Sequence, residues 1–270
     1  MTKTKTDWDD AYANGKYIDG ADAFPDRWAA KAAALRAGQA ANGKAELDLS
    51  YGPHTREKLD ILLPDCAPKG LVVFVHGGYW LAFDKSWWSH LAAGPLARGY
   101  AVALPSYVLA PEVKIAEITR QIGAAIDFAA GRIAGPIFLT GHSAGGHLVS
   151  RMLCGDMKWS SCFAERISKV VSISGLHDLR PLRKTAMNDQ FKLSEADAIA
   201  ESPLLHKDVL PVPVVAFVGG NERPVFVEQS RWLARDWPNA RLHIDPGKHH
   251  FDVIDGLQDP QSTLTRALLD

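Results

Sequence analysis

The sequence Gly141-His142-Ser143-Ala144-Gly145 directly follows a short apolar run, Pro-Ile-Phe-Leu-Thr at 136–140. The run has the composition of a buried strand, and residues 144–153 have that of a helix. A turn this sharp strains the backbone at the serine and needs small neighbours, because the chain passes close to itself. The pattern G-x-S-x-G between strand and helix therefore predicts a serine hydroxyl that is presented at the end of a sheet as a nucleophile.

A second strand-like run, Leu-Val-Val-Phe-Val at 71–75, is followed by His-Gly-Gly-Tyr-Trp at 76–80. Acyl transfer places negative charge on the former carbonyl oxygen, and fixed N–H donors must stabilise that charge. The adjacent Gly77 and Gly78 allow a loop to turn its amides inward. The amide of Ala144, at a helix N-terminus, is the expected partner donor. These three residues are the predicted oxyanion hole, and a tight turn without catalytic meaning is the alternative.

Composition limits the function classes. The chain has 270 residues, 47% hydrophobic content and a net charge of −1, which predict one large core and argue against nucleic-acid binding. Its three cysteines show neither paired nor C-x-x-C spacing, so neither a disulfide framework nor a metal site is indicated. With no apolar signal or membrane-spanning run in the sequence, we predict a cytoplasmic protein that does not bind membranes. The oligomeric state stays open, with a homodimer as a candidate.

Strand-like and helix-like stretches alternate from about residue 45 to residue 269. The predicted strands are 45–51, 56–63, 70–75, 101–104, 136–140, 169–174, 212–218 and 241–244, and the predicted helices are 85–98, 112–130, 144–153, 226–236 and 263–269. Near-continuous Val, Ile and Phe strands between helices predict an α/β fold, in which helices cover both faces of a mostly parallel sheet. One domain, 1–270, is expected. A helical extension (1–44) and a polar insertion (180–203) are candidates for active-site walls, although packing on the scaffold explains each equally well.

A serine hydroxyl needs a base to take its proton, and the base needs a third group to fix its tautomer. On this architecture the chain order is serine, acid, histidine. The best histidines are His249 and His250, directly after the last predicted strand, and the sequence pattern does not choose between them. Metal binding by this pair lacks a supporting cluster of ligands. His142 and His147 lie too near Ser143 along the chain to reach it, so structural roles are expected for both.

The acid is expected after the strand at 212–218, where Glu222 lies in Gly-Gly-Asn-Glu-Arg-Pro at 219–224. Asp178, after the preceding strand, is the alternative. Pairing of Glu222 with Arg223, or capping of the helix that follows, would be a purely structural explanation.

These motifs resemble those of the α/β-hydrolase superfamily, specifically its arylformamidase (kynurenine formamidase)-like branch, over roughly residues 47–254. The resemblance is carried by His-Gly-Gly-Tyr-Trp (76–80), Gly-His-Ser-Ala-Gly-Gly-His-Leu (141–148), Ser-Gly-Leu-His-Asp-Leu-Arg-Pro-Leu (174–182), Glu-Ser-Pro-Leu (201–204), Glu-Arg-Pro-Val-Phe-Val-Glu-Gln-Ser (222–230) and His-His-Phe-Asp-Val-Ile (249–254). In that family the histidine before the phenylalanine is the base, which implies His250. The family's usual acid is an aspartate where this chain has Glu222.

The resemblance implies a cofactor-free hydrolase of N-formyl aromatic amines, most often N-formylkynurenine, with esterases and thioesterases among its relatives. We predict that Ser143, His250 and Glu222 hydrolyse a small ester or aryl formamide. Tyr79 and Trp80 are the predicted substrate contacts, and further rings at 83, 87 and 88 suggest an aromatic substrate. A general carboxylesterase or thioesterase is the alternative, and a non-catalytic binding module with a hydrolase fold is the remote one.

Overall fold

The computed structural model describes residues 7–157, 159 and 161–270 of the protein. Its strands are β1 (Ala45–Ser50), β2 (Lys58–Leu62), β3 (Leu71–Val75), β4 (Ala101–Pro105), β5 (Ile137–His142), β6 (Ile167–Ile173), β7 (Val214–Gly219) and β8 (Ala240–Asp245). They form one sheet in the order β1-β2-β4-β3-β5-β6-β7-β8. The pairs β1–β2 and β2–β4 are antiparallel, and every pair from β4–β3 to β7–β8 is parallel.

The α-helices are α1 (Trp8–Ala11), α2 (Phe24–Ala41), α3 (Ala93–Ala97), α4 (Ile115–Ala130), α5 (Ala144–Arg151), α6 (Ser161–Ala164), α7 (Asn188–Phe191), α8 (Glu195–Ala200), α9 (Pro224–Asp236) and α10 (Thr263–Leu269). Short 3-10 turns, among them Lys85–Trp87, Ser89–Ala92 and Arg180–Lys184, complete the connections. The predicted α/β architecture is confirmed, and the helix at 263–269 has the expected bounds.

Alternating side chains of the central strands divide the core into two layers. In β3, Leu71, Val73 and Val75 point into the layer that also holds buried residues of α4, α5 and α9, whereas Val72 and Phe74 point into the layer of α2 and α10. This alternation follows from the two-residue period of a strand. Both faces of the central strands are covered, so β3, β4 and β7 are apolar throughout, as the sequence indicated.

The helix predicted at 85–98 is wrong. The segment forms two 3-10 turns, and the short helix α3 begins only at Ala93. Pro95 consequently lies in the first turn of α3, where a missing N–H breaks no helical hydrogen bond. The aromatic and apolar side chains of the segment pack inward: Trp88 is 2% exposed and Leu91 is 1% exposed.

No helix in the described ranges is long and apolar enough to cross a bilayer.

Candidate active site

Ser143 lies at the junction between β5 and α5, with φ 56° and ψ −115°. These dihedrals are strained for a residue with a Cβ, as expected for a nucleophile held in a sharp turn. The Ser143 amide donates to the carbonyl of Ile173 at 2.8 Å, which ties the turn to β6. A Cβ on Gly145 would lie 1.9 Å from the carbonyl oxygen of Val75, so only glycine permits this close approach.

The loop after β3 lies against the serine turn. A Cβ built on Gly77 would be 3.1 Å from Cβ of Ser143, and Gly78 has φ 98°. The carbonyls of this loop have partners of their own: His76 Nδ1 donates to the Gly77 oxygen at 2.8 Å, and the Tyr107 hydroxyl lies 3.1 Å from the His76 oxygen. The oxyanion-hole role of the Gly77 and Gly78 amides stays a prediction.

His76 takes part in this arrangement as a neutral ring. It stacks on Tyr107 with ring centroids 4.3 Å apart. Burial lowers the pKa of His76 to about 4, with the hydrogen bond to the Gly77 carbonyl acting in the opposite direction. A neutral imidazole in the tautomer protonated at Nδ1 therefore supports the loop near neutral pH.

Glu222 and His250 meet in the loops that follow β7 and β8. Nδ1 of His250 lies 2.6 Å from Oε2 of Glu222, and both side chains are buried. The two loops are joined by their backbones as well, because the Asn221 amide donates to the Lys248 carbonyl at 2.8 Å. The contact with Glu222 favours the His250 tautomer that carries its proton on Nδ1, and Nε2 is then an acceptor.

The second oxygen of Glu222 is held by two neutral donors. The Ser174 hydroxyl donates to Oε1 at 2.5 Å, and the Gly219 amide donates to it at 2.8 Å. A Cβ on Gly219 would lie 2.3 Å from the carbonyl oxygen of Lys248, so only glycine lets the end of β7 approach the loop after β8 this closely. Sequence reasoning missed Ser174, whose place beside Glu222 depends on the pairing of β6 with β7.

Aromatic rings enclose the His250 imidazole on two sides. The His142 ring lies 4.6 Å away between centroids, and the Phe226 ring lies 4.4 Å away. Because His142 is the residue before Ser143, the first contact also brings His250 beside the serine turn. Burial lowers the pKa of His142 well below its ordinary value, and the His250 imidazole acts in the same direction. The structural role expected for His142 agrees with this placement.

The alternative residues lie elsewhere. The carboxylate of Asp178 forms a two-pronged ion pair with Arg180, at 2.9 and 2.7 Å, and makes no hydrogen bond to His250 in the described part of the chain. His249 Nδ1 lies 3.2 Å from Asp252 and accepts from the backbone amide of Phe251. Arg223 pairs with Asp10 rather than with Glu222.

Tyr79 and Trp80 differ in their surroundings. Tyr79 is partly exposed, and its hydroxyl donates to the Tyr12 carbonyl at 2.8 Å. Trp80 is fully buried and packs edge-on against His147 and Phe191, with centroids 5.1 and 5.7 Å apart. These are the contacts of a core residue. They do not test substrate binding by Trp80, which stays a prediction.

A three-residue group outside this site has ligand atoms close enough for a metal: Cys154, Asp156 and His206. Arg151 lies among them, with Nη1 and Nη2 each 2.9 Å from an oxygen of Asp156. Burial also raises the pKa of Cys154 to about 12, which keeps the thiol protonated. A guanidinium in the centre and a protonated thiol do not suit a cation.

Comparison with known proteins agrees with this geometry. Residues 59–232 match the BD-FAE family model. A kynurenine formamidase of Danio rerio is 30% identical over 239 residues, which span 83% of this chain and 80% of the relative. The chain belongs to the arylformamidase/esterase branch of the α/β-hydrolases.

Two solved structures extend the comparison. A proposed thioesterase from Silicibacter sp. TM1040 is 52% identical, with a TM-score of 0.95 over 98% of this chain and all of that one. Esterase B from Lactobacillus rhamnosis, with a bound phosphonate inhibitor, superposes with a TM-score of 0.69 over 90% of this chain and 92% of its own, at 18% identity. The second match shows the fold alone. Taken with the family match, these findings make the protein a hydrolase of the esterase/arylformamidase type.

Proposed function

We propose that this protein is a serine hydrolase that cleaves small aryl formamides or carboxylic esters through an acyl-enzyme, as an arylformamidase does. The proposal rests chiefly on the 2.6 Å contact between His250 and Glu222 beside the strained turn at Ser143. A serine nucleophile requires a buried imidazole whose Nδ1 donates to a carboxylate and whose unprotonated Nε2 can accept the serine proton. The kynurenine formamidase relative supports the formamide as substrate.

In the proposed reaction, Ser143 Oγ attacks the carbonyl carbon while His250 Nε2 takes the hydroxyl proton. Glu222 stabilises the imidazolium that forms, and the amides of Gly77, Gly78 and Ala144 stabilise the oxyanion. The bond between the carbonyl carbon and the leaving group then breaks, and His250 returns the proton to the leaving amine or alcohol. Water then attacks the acyl carbon while His250 takes one of its protons. The bond to Ser143 Oγ breaks, the proton passes to that oxygen, and the acid is released. No cofactor is needed in this scheme.

The experiment compares the protein with its Ser143→Ala variant in labelling by a fluorophosphonate and in hydrolysis of p-nitrophenyl acetate. We expect that only the natural protein is labelled by the fluorophosphonate and hydrolyses p-nitrophenyl acetate. Labelling of the variant at the original rate would remove Ser143 from the mechanism, and a protein that neither labels nor turns over would favour a non-catalytic binding module.

A thioesterase is the second candidate, because the 52% identical protein is a proposed thioesterase. Values of kcat/KM for N-formylkynurenine, phenyl esters and an acyl thioester of matched acyl group separate the candidates. A preference for the formamide of about a hundredfold or more supports the first proposal, and a similar preference for the thioester supports the second.

A further inference from the structure

The strand β8 forms one edge of the sheet. Within the described ranges it pairs with β7 alone, and the register of that pair runs without a break from Ala240 to Asp245. The opposite edge differs, because β1 has a register shift between Glu46 and Leu49 and a positive φ at Asp48, which disturb the strand. A regular edge strand pairs readily with a further strand. The outer side of β8 is therefore the sheet edge that is open to a partner.

The two faces of β8 differ in chemistry. The even-numbered side chains pack against the core layer that contains α9. Because side chains alternate along a strand, the odd-numbered, polar ones lie on the opposite face: Arg241, His243 and Asp245. His243 stacks there on Phe217, with ring centroids 4.5 Å apart. A groove of about 1090 Å³ opens between β8 and α10, and Arg241 and His243 line it. The groove leaves space beside the strand for the side chains of a partner.

The polar face of β8 carries opposite charges toward its two ends. Arg241 lies near the beginning of the strand and Asp245 lies at its end. Neither side chain forms an ion pair in the part of the chain that the structure describes. A strand with a cation at one end and an anion at the other is complementary in charge to an antiparallel copy of itself, because oppositely charged residues that face each other across two strands stabilise the pair.

The hydrogen bonds to β7 determine which backbone groups of β8 face outward. The Gly220 amide donates to the Asp245 carbonyl at 2.8 Å, so the backbone of Asp245 faces β7. Backbone groups alternate in direction along a strand, and the even-numbered residues therefore face away from β7. Among the described residues, no backbone group outside β7 bonds to Leu242 or Ile244. Each of these two residues presents an N–H and a C=O at the edge.

These outward groups limit the registers in which two antiparallel β8 strands can pair. Residues that exchange hydrogen bonds must both face outward, so an even-numbered residue must lie opposite another even-numbered one. Among these registers, one places Leu242 opposite Ile244 of the second copy. The same register places Arg241 opposite Asp245, and His243 opposite its own copy. Arg241 and Asp245 then form a non-hydrogen-bonded pair, in which the two side chains lie closest.

We propose that two copies of this chain pair through β8 in this register, with His243 at the twofold axis, and join their sheets into one. Because the arrangement is symmetric, the backbone bonds between Leu242 and Ile244 and the ion pair between Arg241 and Asp245 each occur twice. The axis is perpendicular to the sheet, so the α10 grooves of the two copies lie on the same face and adjoin there. This assembly does not depend on the proposed reaction.

Sedimentation equilibrium of the full chain measures the dissociation constant of the dimer. We expect the natural protein to have twice the mass of one chain. Arg241→Asp places like charges opposite each other at two positions, because the new side chain faces Asp245, and should raise the dissociation constant about a hundredfold or more. The exchange of Arg241→Asp together with Asp245→Arg should restore it to within about tenfold. Arg120→Asp, at an exposed residue of α4, makes the same charge change away from β8 and is the matched control.

A thiol at position 243 tests the register itself. His243→Cys, combined with Cys66→Ser to remove an exposed thiol, should form a disulfide between the two copies, because residues at the twofold axis face each other. Arg241→Cys in the same background should form none, since position 241 faces position 245. Mass spectrometry of the linked peptides identifies the bond, and a disulfide at position 241 rather than 243 would overturn the proposed register.

Melting temperatures establish that each variant is folded. A natural protein that stays monomeric up to about 0.1 mM would overturn the proposal, and the charges of β8 would then protect the edge from pairing. A dimer whose dissociation constant is the same in folded Arg241→Asp would overturn it too, because another surface would then hold the copies together.

Discussion

Two carboxylates of this protein, Asp60 and Glu222, have side chains with no solvent exposure, and their partners differ in kind. Asp60 lies 2.7 Å from Lys85 Nζ and 2.9 Å from Arg36 Nε, so two permanent cations neutralise it. Glu222 has two neutral donors and the titratable ring of His250. The difference is the one expected between a structural carboxylate and the proposed catalytic one.

The Asp60 cluster joins elements that are distant in sequence. Arg36 lies on α2, Asp60 on β2, and Lys85 in the segment that follows the predicted oxyanion loop. With Asp48, which lies 2.6 Å from Lys85, the cluster holds two carboxylates and two cations, so its charges are matched and no proton needs to move. In the proposed mechanism, a positive charge appears beside Glu222 when His250 takes the serine proton, and the carboxylate is positioned to stabilise it.

The largest effect is expected from Glu222→Gln. The Gly219 amide donates to Oε1, so the amide oxygen of the new side chain must stay there and its NH₂ group must face His250. His250 then carries its proton on Nε2 and cannot accept one from Ser143. We expect kcat to fall by about 10³–10⁴, measured by ester hydrolysis. Glu228→Gln, on the exposed side of α9 in an ion pair with Arg231, is the matched control. A fall of less than about tenfold would argue against Glu222 as the acid.

Asp60→Asn is expected to change stability instead. It leaves Lys85 and Arg36 without their buried counter-charge, which costs about 3–5 kcal/mol of the free energy of unfolding. Urea denaturation measures this loss. Asp65→Asn, in an exposed pair with Lys44, should change the free energy by less than about 1 kcal/mol. If Asp60→Asn lowered kcat of the folded protein as strongly as Glu222→Gln, the comparison would fail.

Ser174→Ala tests a neutral donor of Glu222. A hydrogen bond to a charged group contributes about 1.5–3 kcal/mol, and we expect kcat/KM to fall about tenfold as the carboxylate loses its fixed position. Ser174 has φ 51°, so Ser174→Gly, which removes the hydroxyl and relieves the backbone, is the companion variant. Equal activity losses in both variants assign the effect to the hydroxyl; recovery in the glycine variant would assign it to backbone strain.

Four other buried histidines differ from His250, because none of them has a hydrogen-bonded carboxylate among the described residues. Burial lowers the pKa of His76 and His90 to about 4 and that of His147 and His177 to about 3. In the unfolded chain these rings become protonated near pH 6.5, whereas in the folded protein they become protonated only at about pH 4 or below. The free energy of unfolding should therefore decrease as the pH falls from about 6.5 to 4.

Each histidine contributes at most about 1.4 kcal/mol per pH unit to this decrease. His90 suits the test, because neither ring nitrogen has a partner within the described residues. Urea denaturation of His90→Leu at several pH values should give a slope that is shallower by about that amount. An identical slope would mean that His90 titrates alike in the folded and unfolded states.

Asp178→Asn should have the smallest effect. Its partner Arg180 is about half exposed, and such pairs contribute little to stability. We expect kcat to change less than about threefold in the assay used for Glu222→Gln. A larger loss would return Asp178 to the list of candidate acids.

The sequence predicted the features that depend on local pattern. Apolar runs located the central strands of the sheet, and the motifs that follow β3, β5, β7 and β8 predicted Ser143, Glu222 and His250 as neighbours. The open ends of parallel strands lie at one edge of a sheet, so residues that follow different strands meet there. The resemblance to arylformamidases, rather than the pattern itself, chose His250 over His249.

Features that depend on distant contacts were not predictable. The ring of Phe226 beside His250 and the hydroxyl of Ser174 on Glu222 each look like ordinary core residues in the sequence. The segment 85–98 was mispredicted because inward-facing aromatic rings at 87 and 88 outweighed its helical composition.

The segment at residues 8–17 is held by partners far along the chain, as in the contacts between Asp10 and Arg223 and between Tyr12 and Gln229, each more than 200 positions apart. Contacts this remote in sequence close only after both regions have found their places, so this segment should order late in folding.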